Sequence, residues 1–163
     1  FLPNWRKNIK YYNSYSSFSK KGGGVLLDLS HEIDYMQWLF GKVKKIEFKK
    51  VKKLSNLKIK SEDFAQIYGK IKNINFNLNL TYFSRFQERK IVIDSKKETI
   101  IGDLINHEIK IINNKKSKKL KFKINKNQTY IDQHLALMKN DFKSLCTIKE
   151  ANNILKFIEK LKL

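Results

Sequence analysis

Asp28, His31 and Asp34 recur at spacing three directly after a triple glycine, Gly22-Gly23-Gly24. A helix over this stretch would set the three along one edge, because residues three apart are neighbours on a helix surface. An imidazole with a carboxylate beside it is the equipment of general acid–base chemistry near neutral pH. The glycines lack Cβ and accept positive φ, so their loop can sit tight against another molecule. The plainer reading is a helical histidine satisfied by a neighbouring carboxylate or carbonyl, with glycines that simply admit the chain to its helix.

Around this row stand residues suited to a polar ligand. Trp5, Tyr11, Tyr12 and Tyr15 offer faces on which a sugar stacks and phenols that hydrogen-bond it, and Arg6 suits a carboxylate or phosphate. A loop of mutually packed aromatics accounts for the same residues. Arg85 and Arg89 flank a turn, where paired arginines read as structural. His107 and His134 have no partners at metal-ligand spacing, so no metal site is expected. Cys146 is the sole cysteine, which excludes an internal disulfide and fits a reducing compartment. It reads as a small, partly buried side chain near a helix end. No Ser/His/Asp or Cys/His set can be assembled.

The composition frames these candidates. The chain has 163 residues, enough for one domain with a core. Its net charge of +20 raises nucleic acid as a partner. The lysines, however, are spread through every expected strand and turn, and arginine occurs only as Arg6, Arg85 and Arg89. An anionic substrate or an acidic partner domain explains the charge as well, and nucleic acid is not the expected ligand. No apolar run is long enough to cross a bilayer. No signal peptide is visible, so a cytoplasmic location is expected. The chain opens on Phe1 and not on Met, so a fragment or a processed product is expected.

The elements that must position the row follow from periodicity. Residues 1–21 read as an irregular connecting segment, and 22–163 as a single α+β domain. An apolar helix is expected over 25–40, ended by Gly41, with Trp38 at core-like spacing. Strands are expected near 43–53, 62–71, 73–82, 89–95, 98–104, 107–113 and 118–124. The clearest is 73–82, where Ile74, Phe76, Leu78, Leu80 and Tyr82 alternate with polar residues in strict period two. Asn113–Lys119 reads as a charged turn. Two helices close the chain. The first carries Ile131, Leu135, Met138, Phe142 and Leu145, and the second starts at a Thr147/Glu150 capping box. The fold class is α+β: an open, mainly antiparallel sheet with helices packed on one face and a polar opposite face.

The block GGGVLLDLSHEIDYMQWLFG resembles the start of the C-terminal domain of the Gfo/Idh/MocA oxidoreductases, whose pattern there is Gly-Gly-Gly, an apolar run with Asp, His-x-x-Asp and a Trp-Leu-x-Gly ending. LPNW, YNSYSSFSKKGGG, LTYFSRFQERKIVIDSKKETIIGDL and the stretch from Tyr130 to Leu161 extend the likeness to nearly the whole chain. The resemblance implies an NAD(P)-dependent enzyme acting on sugars, inositols or sugar-nucleotides. It implies that His31 moves the hydroxyl proton and that Asp34 and Arg85 belong to the substrate pocket. It also implies that Gly23 and Gly24 approach the nicotinamide, and that the sheet serves as an oligomer interface, giving a homodimer. Asp28 stands three residues before His31 where the family commonly has four, which turns its carboxylate about 100° around a helix. Asp28 is therefore expected either in catalysis or in orienting His31 or the chain.

The family's Rossmann domain has no counterpart here. No G-x-G-x-x-G occurs, and the only proline is Pro3, so the Glu-Lys-Pro motif that carries the family's catalytic lysine is missing. The chain reads as the substrate half of the enzyme, inactive alone, with NAD or NADP held by a Rossmann domain in cis or in trans. The alternative is a non-catalytic truncated relative acting as a binding or assembly protein.

Overall fold

A computed structural model of the protein describes residues 1–6, 8–125 and 127–163. In chain order its elements are α1 (Val25–Asp28), α2 (Ser30–Phe40), β1 (Lys45–Lys52), β2 (Phe64–Ile71), β3 (Ile74–Thr81), β4 (Lys90–Asp94), β5 (Glu98–Asp103), β6 (Glu108–Asn113), β7 (Ser117–Lys121), α3 (Gln128–Met138) and α4 (Ile148–Lys162). They fall into two compact units. One holds Phe1–Arg85 with Cys146–Leu163, the other Phe86–Leu145. The fold is α+β with antiparallel strands, as the sequence predicts, and the strands divide into sheets of order β1-β2-β3 and β4-β5-β6-β7.

The first unit contains the core. In β2 the odd residues Ala65, Ile67 and Ile71 are buried, while Tyr68 and Lys70 face out. Their partners in β3 keep the alternation, Ala65 opposite Leu80 and Ile67 opposite Leu78. One face therefore reaches the core and the other stays polar, as period two requires. Val25, Leu26 and Ile33 of the first two helices, with Ile154, Ile158 and Leu161 of α4, complete the buried cluster. The predicted capping box of α4 is present: Thr147 Oγ1 accepts from Glu150 N at 3.2 Å, and Thr147 N donates to Glu150 Oε2 at 2.8 Å. These bonds satisfy amides that the first helical turn leaves unpaired.

Several expectations are corrected. Residues 1–21 carry four short 3₁₀ turns, from Leu2–Asn4 to Ser19–Lys21. The helix over 25–40 is two helices, because Leu29 leaves helical geometry at φ −106°, ψ 26°. Trp38 is 73% exposed and takes no part in the core. The charged turn is shorter than expected, since Ser117 already begins β7 opposite Ile112. The helix starting at 128 ends at Met138. Asn140 turns the chain at φ 55°, so Phe142 and Leu145 lie beyond the helix.

The second unit is built differently. Register places Ile91, Ile93, Ile100, Ile109, Ile111 and Leu120 on one face of its sheet. Yet no described residue between 86 and 145 is buried. In α3, Ile131, Leu135 and Met138 are all exposed.

Candidate active site

The break at Leu29 decides the geometry around His31. It starts a new helix at Ser30, so His31 occupies the first turn of α2 and does not continue the edge that carries Asp28. Among the described residues no hydrogen bond or ion pair joins the two. The carboxylate beside the imidazole is that of Glu32, with Oε1 3.1 Å from His31 Nε2. The Tyr35 hydroxyl donates to the other oxygen, Oε2. Glu32 is nearly covered, at 10% side-chain exposure, whereas His31 is 51% exposed. A buried carboxylate thus holds one ring nitrogen of a histidine that opens to solvent. A neutral imidazole that donates Nε2–H to Glu32 leaves Nδ1 as the free base.

Asp28 has a different partner. The Tyr82 hydroxyl donates to Asp28 Oδ2 at 2.7 Å. Tyr82 is fully buried, and burial is the first cause that pushes its hydroxyl well above the usual tyrosine range, with the Asp28 hydrogen bond second. The Trp5 ring meets the Tyr82 ring edge-on, centroids 5.3 Å apart at 87°, and Leu2 N donates to Tyr82 O at 2.8 Å. Tyr82 therefore ties the chain's first residues to the end of α1. Sequence reading missed both organisers. Tyr82 hid among the apolar positions of a period-two strand, and Glu32 stood beside His31 without matching the spacing-three row.

The remaining candidates divide. Trp5, Arg6 and Tyr11 line one cavity with Leu2, Ile9 and Ser14. Its volume is about 10 Å³, room for no more than a water. The Arg6 guanidinium lies over the Tyr15 ring at 4.8 Å. Tyr11 and Tyr12 meet edge-on, and Tyr12 lines a separate surface pocket of about 360 Å³ with Phe18 and Leu57–Lys60. Arg85 lies over the Phe1 ring at 5.0 Å. Asp34 stands near Cys146: its charge follows local desolvation among the causes that raise that thiol, ahead of Glu150. Cys146 itself is exposed.

The glycine loop packs against its own chain. A Cβ on Gly23 would strike the backbone carbonyl of Tyr15 and lie 2.6 Å from that of Ser16. Gly24, at φ 115° and ψ 153°, holds a conformation open essentially to glycine alone, and its missing Cβ leaves room for the Glu62 carboxylate. Only Gly22, at φ 79°, has open space where a side chain would be. Gly23 and Gly24 thus have intramolecular reasons to be glycine.

A family model described as "Oxidoreductase family, C-terminal alpha/beta domain" matches residues 4–162. Among solved structures, a putative oxidoreductase from Thermotoga maritima superposes with TM-score 0.72 at 17% identity, covering 98% of this chain and 48% of that one. Biliverdin reductase from Synechocystis sp. PCC 6803, solved with biliverdin and NADP+, gives 0.68 at 11%, covering 92% and 49%. UDP-N-acetylglucosamine 3-dehydrogenase GnnA from Acidithiobacillus ferrooxidans gives 0.66 at 16%, covering 84% and 45%. The chain spans about half the length of these structures. No curated protein matches it.

Proposed function

This chain belongs to the Gfo/Idh/MocA oxidoreductase family as its C-terminal domain, and from that premise we propose that it is the substrate-binding and oligomerising half of an NAD(P)-dependent enzyme that oxidises the CH–OH group of a sugar or sugar-nucleotide. The observation that carries the reading is the His31–Glu32–Tyr35 arrangement at the start of α2. In it Glu32, not Asp28, orients the base. As the alcohol carbon is oxidised, the hydroxyl proton passes to the free nitrogen of His31, and the buried Glu32 carboxylate stabilises the imidazolium that forms. Asp28 is a positioning residue that acts through Tyr82 and Trp5. Arg6 and the Tyr12 pocket supply contacts for the substrate's hydroxyls or phosphates.

The cofactor belongs to a Rossmann domain in cis or in trans. The resemblance gives the Gly22–Gly24 loop the nicotinamide-facing wall of the site, and Gly22 is its open position. A homodimer through the four-stranded sheet is supported by the apolar face that leaves no residue of its unit buried. A reducing, cytoplasmic setting agrees with the single free cysteine. Among the described residues no helix is long and apolar enough to cross a membrane.

Titration of NADH or NADPH into this chain alone tests the division of labour. Binding no tighter than millimolar is expected, and micromolar affinity would overturn it. A second reading, a non-catalytic relative serving binding or assembly, is favoured by the closure of the aromatic segment around about 10 Å³. The native product's mass separates the two: a polypeptide about twice this chain's length supports the enzyme.

A further inference from the structure

One side of α2 is closed and the other open. Glu32, Ile33 and Met36 are buried, whereas His31, Trp38 and Leu39 are exposed and Tyr35 is half-buried. Trp38 follows His31 by seven residues. On a helix it therefore lies about 20° around the axis and about 10 Å along it from the imidazole. Tyr35 fills the step between, four residues from one and three from the other. His31, Tyr35 and Trp38 thus form one stripe, with the spacing by which a helix face seats in a groove. At the far end of that stripe Trp38 is 73% exposed and Leu39 48%, so a large apolar area continues the proton-transfer site.

We infer that this stripe of α2 seats the dinucleotide-binding domain, with Trp38 as the anchor that becomes buried; the inference rests on the enzyme reading given above. The reaction itself selects the occupant. The hydride leaves the same carbon whose hydroxyl proton passes to His31, so the domain that holds the nicotinamide has to close over His31. A small domain is about 30 Å across. Trp38 stands only about 10 Å beyond the imidazole on the same side of the helix, and so falls under the same footprint. Tryptophan is enriched among the residues that anchor interfaces, where its large ring leaves water in a packed pocket. Seating Trp38 also shields the His31–Glu32 pair from water, which strengthens the carboxylate's hold on the imidazolium. The apolar end of the stripe thereby links domain closure to the base.

The test is hydroxyl-radical footprinting read by mass spectrometry, on this chain alone and on the complete enzyme that joins it to its dinucleotide-binding domain. Trp38 is expected to oxidise readily in the chain alone and to lose most of that reactivity in the complete enzyme. Trp38→Ala should lower kcat/KM of the complete enzyme about thirtyfold, the effect of truncating an interface anchor. Trp38→Phe, which keeps a ring, should recover most of it. The thermal melt of the chain alone is expected to be unchanged by Trp38→Ala, because an exposed side chain contributes little to the fold. Undiminished Trp38 oxidation in a complete enzyme that turns over substrate overturns the inference and leaves the enzyme reading intact. So does protection that grows with concentration in the chain alone, which gives the stripe to a second copy. A native protein that contains no dinucleotide-binding domain, in cis or in trans, overturns both.

Discussion

The Tyr82 hydroxyl donates to Asp28 Oδ2 at 2.7 Å, joining the end of β3 to the last residue of α1. Asp28 is thereby engaged in holding the end of α1 against the sheet, and the His31 imidazole pairs instead with the buried Glu32 carboxylate next to it in sequence. The stability of this unit should respond at Tyr82. A hydrogen bond to a charged group contributes about 1.5–3 kcal/mol, part of which solvation of the half-buried Asp28 recovers, so Tyr82→Phe should lower unfolding free energy by about 1–2 kcal/mol in urea titrations.

The same bond predicts a pH dependence. The folded state pushes the Tyr82 hydroxyl above its ordinary value of about 10, through burial first and Asp28 second. The neutral phenol is thus favoured when folded. Its stabilisation is fully present below pH 10 and is lost as pH rises above 10, where the unfolded chain releases the proton and the folded chain does not. Urea midpoints measured at pH 8 and pH 10.5 should fall less in Tyr82→Phe than in the wild type.

Substitutions in the glycine loop should rank by geometry. Gly23→Ala drives a methyl into the Tyr15 and Ser16 carbonyls, and Gly24→Ala adds backbone strain to a clash with Glu62. Gly22→Ala meets open space and bears only the left-handed backbone penalty, about 1–2 kcal/mol. Thermal melts should place Gly22→Ala well above the other two. If all three matched, the loop would not pack as described.

Much of this was legible in advance, and the misses share a cause. The strands declared themselves because β2 and β3 bury one face, and burial of one face writes period two into the sequence. Leu78, Leu80 and Tyr82 are examples. The helix break at Leu29 left no such mark: the apolar residues on either side keep helical spacing, so 25–40 read as continuous and Asp28 seemed to share an edge with His31. Glu32 was overlooked because its role depends on that break. Trp38 had the spacing of a core residue, but spacing says which residues share a face, not whether anything covers that face. Ile131, Leu135 and Met138 repeat the lesson on α3.

The four-stranded sheet should mark the subunit interface. Ile100 and Ile111 pair across β5 and β6 on its apolar face. Ile100→Lys is expected to convert a dimer to a monomer in sedimentation equilibrium, whereas Val92→Lys, on the opposite face of β4, should leave association unchanged. Equal effects of both, with folding intact by circular dichroism, would remove the sheet from the interface.

The central claim is that His31, oriented by Glu32, is the acid–base residue of an alcohol oxidation. Its most direct test is kcat/KM in this chain joined to its Rossmann domain, with the best substrate from a panel of sugars, inositols and sugar-nucleotides. His31→Ala is expected to lower kcat/KM by about 10²- to 10⁴-fold, and Glu32→Gln by a smaller factor, because the imidazolium that forms loses its carboxylate partner. A His31→Ala variant that retains wild-type kcat/KM would contradict this assignment.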